Sequence, residues 1–254
     1  MEPMSHGGPQ GLAVSADGYT FAPAATALTP GAKKSFTFAI TGKDGKPVTA
    51  YDPLHDKELH LIVVRRDMTG YQHLHPTRAA SGNWNVPLVV ATAGVYKAFA
   101  NFQPGGQTMP MPMTLAVDLM ASGEFTAVAL PTPKLTATVD GIKVVLAGKV
   151  VVGAPELTLT VTRSGKPVEL QPYLAAHGHL VALRLGDLAY LHVHPKDTPG
   201  GEPVGNRVTF VAPVPTPGKY RLFFDFKTED VVRTAEFTVV ASPGAPPPHH
   251  VSTT

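Results

Sequence analysis

The sequence predicts an all-β chain of two tandem sandwiches, and three observations predict it: the length, the turn-rich composition and an internal repeat. The 254 residues exceed the roughly 100 of one ordinary β-sandwich and suit two. With 24 Gly and 26 Pro, long helices would be broken repeatedly. A hydrophobic content of 43%, spread evenly, is enough for a core and excludes global disorder.

The repeat is legible in several places. Gly45-Lys46-Pro47-Val48 recurs as Gly165-Lys166-Pro167-Val168, and Asp17-Gly18 as Asp140-Gly141. His60-Leu61 followed by His73-Leu74-His75-Pro76 recurs as His179-Leu180 followed by His192-Val193-His194-Pro195, with thirteen positions between the first two histidines of each copy. Gly94-Val95-Tyr96 returns as Gly218-Lys219-Tyr220. The copies span residues 11–129 and 134–240, joined by an extended Leu130-Pro131-Thr132-Pro133 connector. Each reads as about seven short strands between Gly, Pro and Asp turns, for example Ser35–Ile40, Leu59–Arg65, Val95–Phe102 and Thr114–Leu119 in the first. Residues 1–10 and 241–254 are too poor in apolar side chains to offset their ordering entropy and read as disordered tails.

Charge narrows the partners. The formal net charge of +2 arises from 21 basic and 19 acidic residues without a long run of one sign, so no concentrated positive field awaits nucleic acid. No apolar run approaches the roughly 20 residues of a membrane span. With no cysteine, disulfides, thiolate metal sites and cysteine nucleophiles are excluded. The segment Met1–Gln10 lacks the pattern of a secretion signal, so the chain reads as cytosolic or as the mature form of an exported protein, the second being favoured.

Eight of the eleven histidines fall into two groups, His55, His60, His73, His75 and His177, His179, His192, His194. In the second group, Leu185-Gly186-Asp187-Leu188 suits a two-residue type II′ turn, with Gly186 taking the positive φ. That register sets Leu183 opposite Tyr190, Val181 opposite His192 and His179 opposite His194, with all four histidines on one face. Directly opposed residues have Cβ atoms roughly 4.5–5.5 Å apart, close enough for three imidazoles to share one ion. In the first group the same spacing pairs His60 with His75 if Asp67-Met68 forms the tip; a longer loop containing Gly70 is the alternative. Glu58 occupies the position of His177 and offers an optional carboxylate. The metal candidates are therefore His60, His73, His75 and Glu58 in one site, and His177, His179, His192 and His194 in another. The plainer alternative is that the histidines hydrogen-bond to backbone or to one another.

A second metal signal is Met109-Pro110-Met111-Pro112-Met113, an extended segment whose three thioethers suit Cu(I), where imidazole suits Cu, Zn and Ni. Its plainer alternative is gap filling against the core. Arg184, on the histidine strand, and Asp225, interrupting the apolar run Leu222–Phe226, read first as a structural ion pair, and otherwise as a partner orienting a histidine. No nucleophile motif, phosphate loop or paired carboxylate appears, so a catalytic role is not expected.

Leu170-Gln171-Pro172-Tyr173-Leu174, His179–Arg184 and Asp187–Pro195 resemble a family of uncharacterised secreted or lipid-anchored bacterial proteins common in actinobacteria. Glu58–Asp67 and Gln72-His73-Leu74-His75-Pro76 resemble its amino-terminal domain. The resemblance implies export, two immunoglobulin-like or cupredoxin-like β domains and a link to heavy metals, and carries over His179, His192 and His194. Ala175 departs from the family's usual Gly, and the position of His177 varies there. The expectation is a secreted, periplasmic or cell-surface protein that binds copper, with zinc as the alternative, and sequesters it or delivers it to a transporter or acceptor protein. The other expectation is a non-catalytic structural or interaction module.

Overall fold

A computed structural model describes residues 10–106, 111–196 and 205–244. Among these, every helix or strand is a strand. The first half contains β1 (Ser15–Ala16), β2 (Tyr19–Pro23), β3 (Ala27–Leu28), β4 (Lys34–Thr41), β5 (Tyr51–Asp52), β6 (Leu59–Arg65), β7 (Gln72–Leu74), β8 (Thr77–Arg78), β9 (Asn83–Leu88), β10 (Gly94–Pro104) and β11 (Met113–Ala121). They form one sheet in the order β1-β2-β4-β9-β8 and another in the order β3-β11-β10-β6-β7, with β5 beside β10. The second half contains β12 (Thr136–Val139), β13 (Ile142–Ala147), β14 (Glu156–Arg163), β15 (Lys166–Pro167), β16 (His179–Arg184), β17 (Tyr190–His192), β18 (His194–Pro195), β19 (Arg207–Val211), β20 (Gly218–Thr228) and β21 (Val231–Ala241). Its sheets run β12-β13-β14-β19-β18 and β17-β16-β20-β21. The order repeats that of the first half, so the chain is two tandem immunoglobulin-like sandwiches.

Each sandwich has its own core, one around Phe21, Phe38, Trp84 and Phe102, the other around Leu159, Phe210, Phe224 and Phe237. The alternation in β9 drives Trp84, Val86 and Leu88 inward while Asn83, Asn85 and Pro87 face out. Near the start of β10 and of β20, Tyr96 and Tyr220 donate their hydroxyls back to the carbonyls of Thr92 and Thr216, both at 2.9 Å. This is the tyrosine corner of immunoglobulin-like folds.

A third apolar cluster joins the halves. β6 is buried along its whole length because Leu59, Leu61 and Val63 face its own core while Ile62 and Val64 pack with Phe99, Val181, Leu183, Tyr190 and Phe223. The uninterrupted apolar run of β6 is thus a strand covered on both faces. The contact is reciprocal. Tyr71 of the first domain stacks on Phe223 of the second, rings 4.0 Å apart and parallel, while Tyr190 of the second packs on Phe99 of the first at 5.6 Å. Tyr71 aligns with Tyr190 and Phe99 with Phe223, since Ile62 pairs with Phe99 and Val181 with Phe223. The two β6-type sheets therefore meet in a pseudo-two-fold arrangement. Gln10, expected in a tail, pairs with Tyr190 and accepts its amide at 2.9 Å.

Candidate metal centre

The histidine strands are positioned by two similar turns. Leu54 and Lys57 exchange backbone hydrogen bonds around His55 and Asp56, both at positive φ, and Tyr173 and Ala176 do the same around Leu174 and Ala175. Each turn presents a carbonyl to the first histidine of its copy. His60 Nε2–H donates to Leu54 O at 2.7 Å and His179 Nε2–H to Tyr173 O at 3.0 Å. A carbonyl only accepts, so both rings, when neutral, carry their proton on Nε2 and a lone pair on Nδ1. Before β16, Gly178 lets the chain pass close to the neighbouring strand, where a Cβ would lie 2.5 Å from Phe224.

In the first copy Ile62 pairs with His73 and Leu61 with Leu74, the register that brings His60 beside His75. The connecting loop is the longer form, with Met68 and Gly70 both at positive φ. His60, His73 and His75 offer nitrogens that all lie within 4.8 Å of one another. Their ring centroids are 5.2, 5.1 and 4.8 Å apart, against about 5 Å for three imidazoles tetrahedral on one ion with bonds of about 2 Å. His75 Nε2 is buried without a hydrogen-bond partner.

A chain of hydrogen bonds runs through this cluster. His60 Nδ1 and His73 Nε2 are 2.9 Å apart, and His73 Nδ1 lies 2.8 Å from Asp225 Oδ2. The carboxylate accepts, so His73 donates from Nδ1; with the His60 proton committed to Leu54, His73 also donates from Nε2. Asp225 further accepts the Tyr71 hydroxyl at 3.0 Å and the Thr234 hydroxyl at 2.5 Å. Two of the three donors to this buried carboxylate of the second domain belong to the first.

Burial holds the neighbouring imidazoles neutral. Desolvation, reinforced by His73, pulls His60 down to about 2 and His75 to about 3. Desolvation lowers His179 to about 4 against the opposing pull of the Tyr173 carbonyl. Neutral imidazole is the form that binds metal. Burial, then Asp225, raises Tyr71 well above its ordinary value and keeps its hydroxyl a donor.

Several expectations are corrected. Val181 does pair with His192 and Leu183 with Tyr190, but the tip is not a two-residue type II′ turn. Leu188 N–H reaches back to Arg184 O and Arg184 N–H to Ala189 O, closing a four-residue loop with Leu188 at positive φ. Nor does the backbone of His194 pair with that of His179. The chain leaves that sheet at Val193, which enters the second core, and His194 pairs with Val211 of the opposite sheet. His177 lies in the bend before β16, outside the trio. Glu58 is taken by Arg78, which grips both its oxygens at 2.9 and 3.0 Å. Met113 packs against the first core and Met111 is exposed, while Met109 lies outside the described residues. Arg184 pairs with Asp187 instead of Asp225, and Asp225 accepts from His73.

The two copies bring their histidines to one place, where the sequence suggested two separate sites. His179 lies 6.3 Å from His60, 6.2 Å from His73 and 5.1 Å from His55, centroid to centroid. These four, with Asn101 and Tyr190, line a cavity of about 30 Å³ between the domains. Asn101 is the counterpart of Asp225: it pairs with His60 on β6 as Asp225 pairs with His179 on β16. Its amide donates to Thr114 Oγ1 at 3.0 Å where Asp225 accepts from Thr234. Aligning the copies on Gly94 and Gly218 would have matched the two positions.

Among solved structures, the titin domains z1z2 in complex with telethonin align at 12% identity over 91% of this chain and 99% of that one, with a TM-score of 0.21. Domains 5-6 of the S-layer protein SbsC align at 11% identity over 87% and 97%, with a TM-score of 0.22. A putative membrane anchored protein from Corynebacterium diphtheriae aligns at 9% identity over 91% and 60%, with a TM-score of 0.25. No curated protein sequence matches. One family model matches the chain twice, over residues 13–118 and 137–243, once for each sandwich. The chain belongs to the family described as Domain of unknown function (DUF8832).

Proposed function

We propose that this chain is an exported metal-binding protein that holds a copper ion on His60, His73 and His75 and sequesters it or passes it to an acceptor protein, without chemistry of its own. The observation that carries the reading is the convergence of three imidazoles within 4.8 Å, one of them with a buried nitrogen lacking any partner. An all-imidazole set suits Cu, Zn, Fe and Ni, and divalent copper binds most tightly in the general order of affinities. Zinc is the alternative ion. The ion would replace the proton shared by His60 Nδ1 and His73 Nε2, which leaves to solvent. Export is supported by the resemblance of the histidine segments to exported bacterial proteins.

Titration of the purified chain with Cu(II) and with Zn(II), followed by elemental analysis, tests the reading. One tightly held equivalent is expected, lost in His75→Ala. A parent chain that retains no ion overturns it.

A second reading has its own support. The chain of hydrogen bonds from Leu54 O through His60, His73 and Asp225 to Thr234 is complete without an ion, as a polar lock between domains would be. His75 takes no part in that chain, so under this reading His75→Ala leaves the protein's behaviour unchanged.

A further inference from the structure

The geometry points to Asp225 as the positioning residue of the ion site: a carboxylate of the second domain that fixes the ring of His73 in the first, so that the site is complete only when the domains are docked. This inference rests on the reading that His60, His73 and His75 bind an ion.

An imidazole that binds metal through one nitrogen is oriented by whatever the other nitrogen donates to, and a carboxylate there also makes the ring a better donor. His73 has this arrangement. Its Nδ1–H points at Asp225 Oδ2, 2.8 Å away, and its Nε2 points at His60 Nδ1 within the trio. Asp225 is 2% exposed and cannot swing away, because Thr234 holds Oδ1 and Tyr71 shares Oδ2. Among the described residues, its one ion-pair partner is His73, so the carboxylate's charge is directed at the ligand. The counterpart Asn101 shows that the strand geometry does not itself demand an acid here: a neutral amide satisfies the matching threonine in the first domain. The acid is placed where a ligand of the other domain needs an acceptor.

The full chain and its Asp225→Asn, Asp225→Glu and Thr234→Val variants are titrated with Cu(II), and the electron paramagnetic resonance spectrum of each bound copper is recorded. Asp225→Asn is expected to weaken binding about 10–100-fold and to shift the copper spectrum, because His73 becomes a poorer donor. Asp225→Glu should restore part of the affinity, and Thr234→Val should lose less than Asp225→Asn. A carboxylate serving only domain packing would lower thermal stability yet leave the spectrum of bound copper unchanged, and that result overturns the assignment. If Asp225→Asn does not fold, unchanged affinity in both other variants overturns it equally. A parent chain that binds no copper overturns the ion-site reading and this inference together, whereas a parent that binds and an Asp225→Asn variant that binds as tightly overturn this inference alone.

Discussion

Asp225 and Asn101 occupy matching positions on matching strands, each opposite the first histidine of its copy and each bonded to a threonine on the next strand. One is a buried carboxylate that reaches across to His73; the other is an amide that satisfies its own sheet. The pair teaches that repeated sandwiches can keep their packing while a single side-chain oxygen in place of nitrogen makes the two sides of their interface chemically different.

The largest expected effect comes from removing these two side chains in turn. Asp225→Ala breaks a buried pair and leaves His73 without its acceptor, which should cost about 3–5 kcal/mol of unfolding free energy in metal-free protein. Asn101→Ala removes a neutral hydrogen bond and should cost about 1–3 kcal/mol. Urea denaturation of both variants checks the difference, and equal costs would mean that the charge contributes nothing special.

Acid should produce a smaller effect that also separates the copies. The folded state holds His60, His75 and His179 at about 2, 3 and 4, below the unfolded value of about 6.5. Below that value the unfolded chain binds protons that the folded chain refuses, so stability is full above about pH 6.5 and falls as pH drops toward 4. Unfolding measured at several pH values should show this slope. It should flatten to a similar degree in His60→Gln and His179→Gln above about pH 4, and below that pH only His60→Gln should flatten it further, because folded His179 then takes up its proton.

The smallest effect concerns the turns. Ala175 stands at φ 57, a left-handed conformation costly for a residue with a Cβ. Ala175→Gly should raise stability by about 0.5–1 kcal/mol, net of the greater freedom of glycine in the unfolded chain. A rise in melting temperature without any change in ion binding is the expected result.

Much of the architecture could be read from the residues. The all-β class followed from Gly, Pro and the repeat, and β6 coincides with the expected strand Leu59–Arg65. Val181 opposite His192 followed from counting outward from Gly186-Asp187, because strand register has a period of two and survives a change of turn type. His194 was misplaced because counting assumes that a strand stays in its sheet, whereas Val193 is drawn into the second core and carries the chain across. That Asp225 orients a histidine is the lesser of the two alternatives the sequence offers for it. Its acid was visible as an interruption of an apolar run, but its partner lies 152 positions away in another domain, and domain packing leaves no periodic mark in a sequence. Ala175 is the reverse case: the departure from a family Gly was legible, and its physical meaning waited on the backbone angle.

The reciprocal packing of Tyr71 on Phe223 and Tyr190 on Phe99 has the self-complementary form of a dimer of identical subunits, in which every contact occurs twice. In such a dimer an acid at the position of Asp225 would appear on both sides, placing two carboxylates in the same confined space. Joining the two copies in one polypeptide removes that constraint, since each can then change alone. The present arrangement, an acid on one side and an amide on the other, is open to a fused pair and closed to a homodimer.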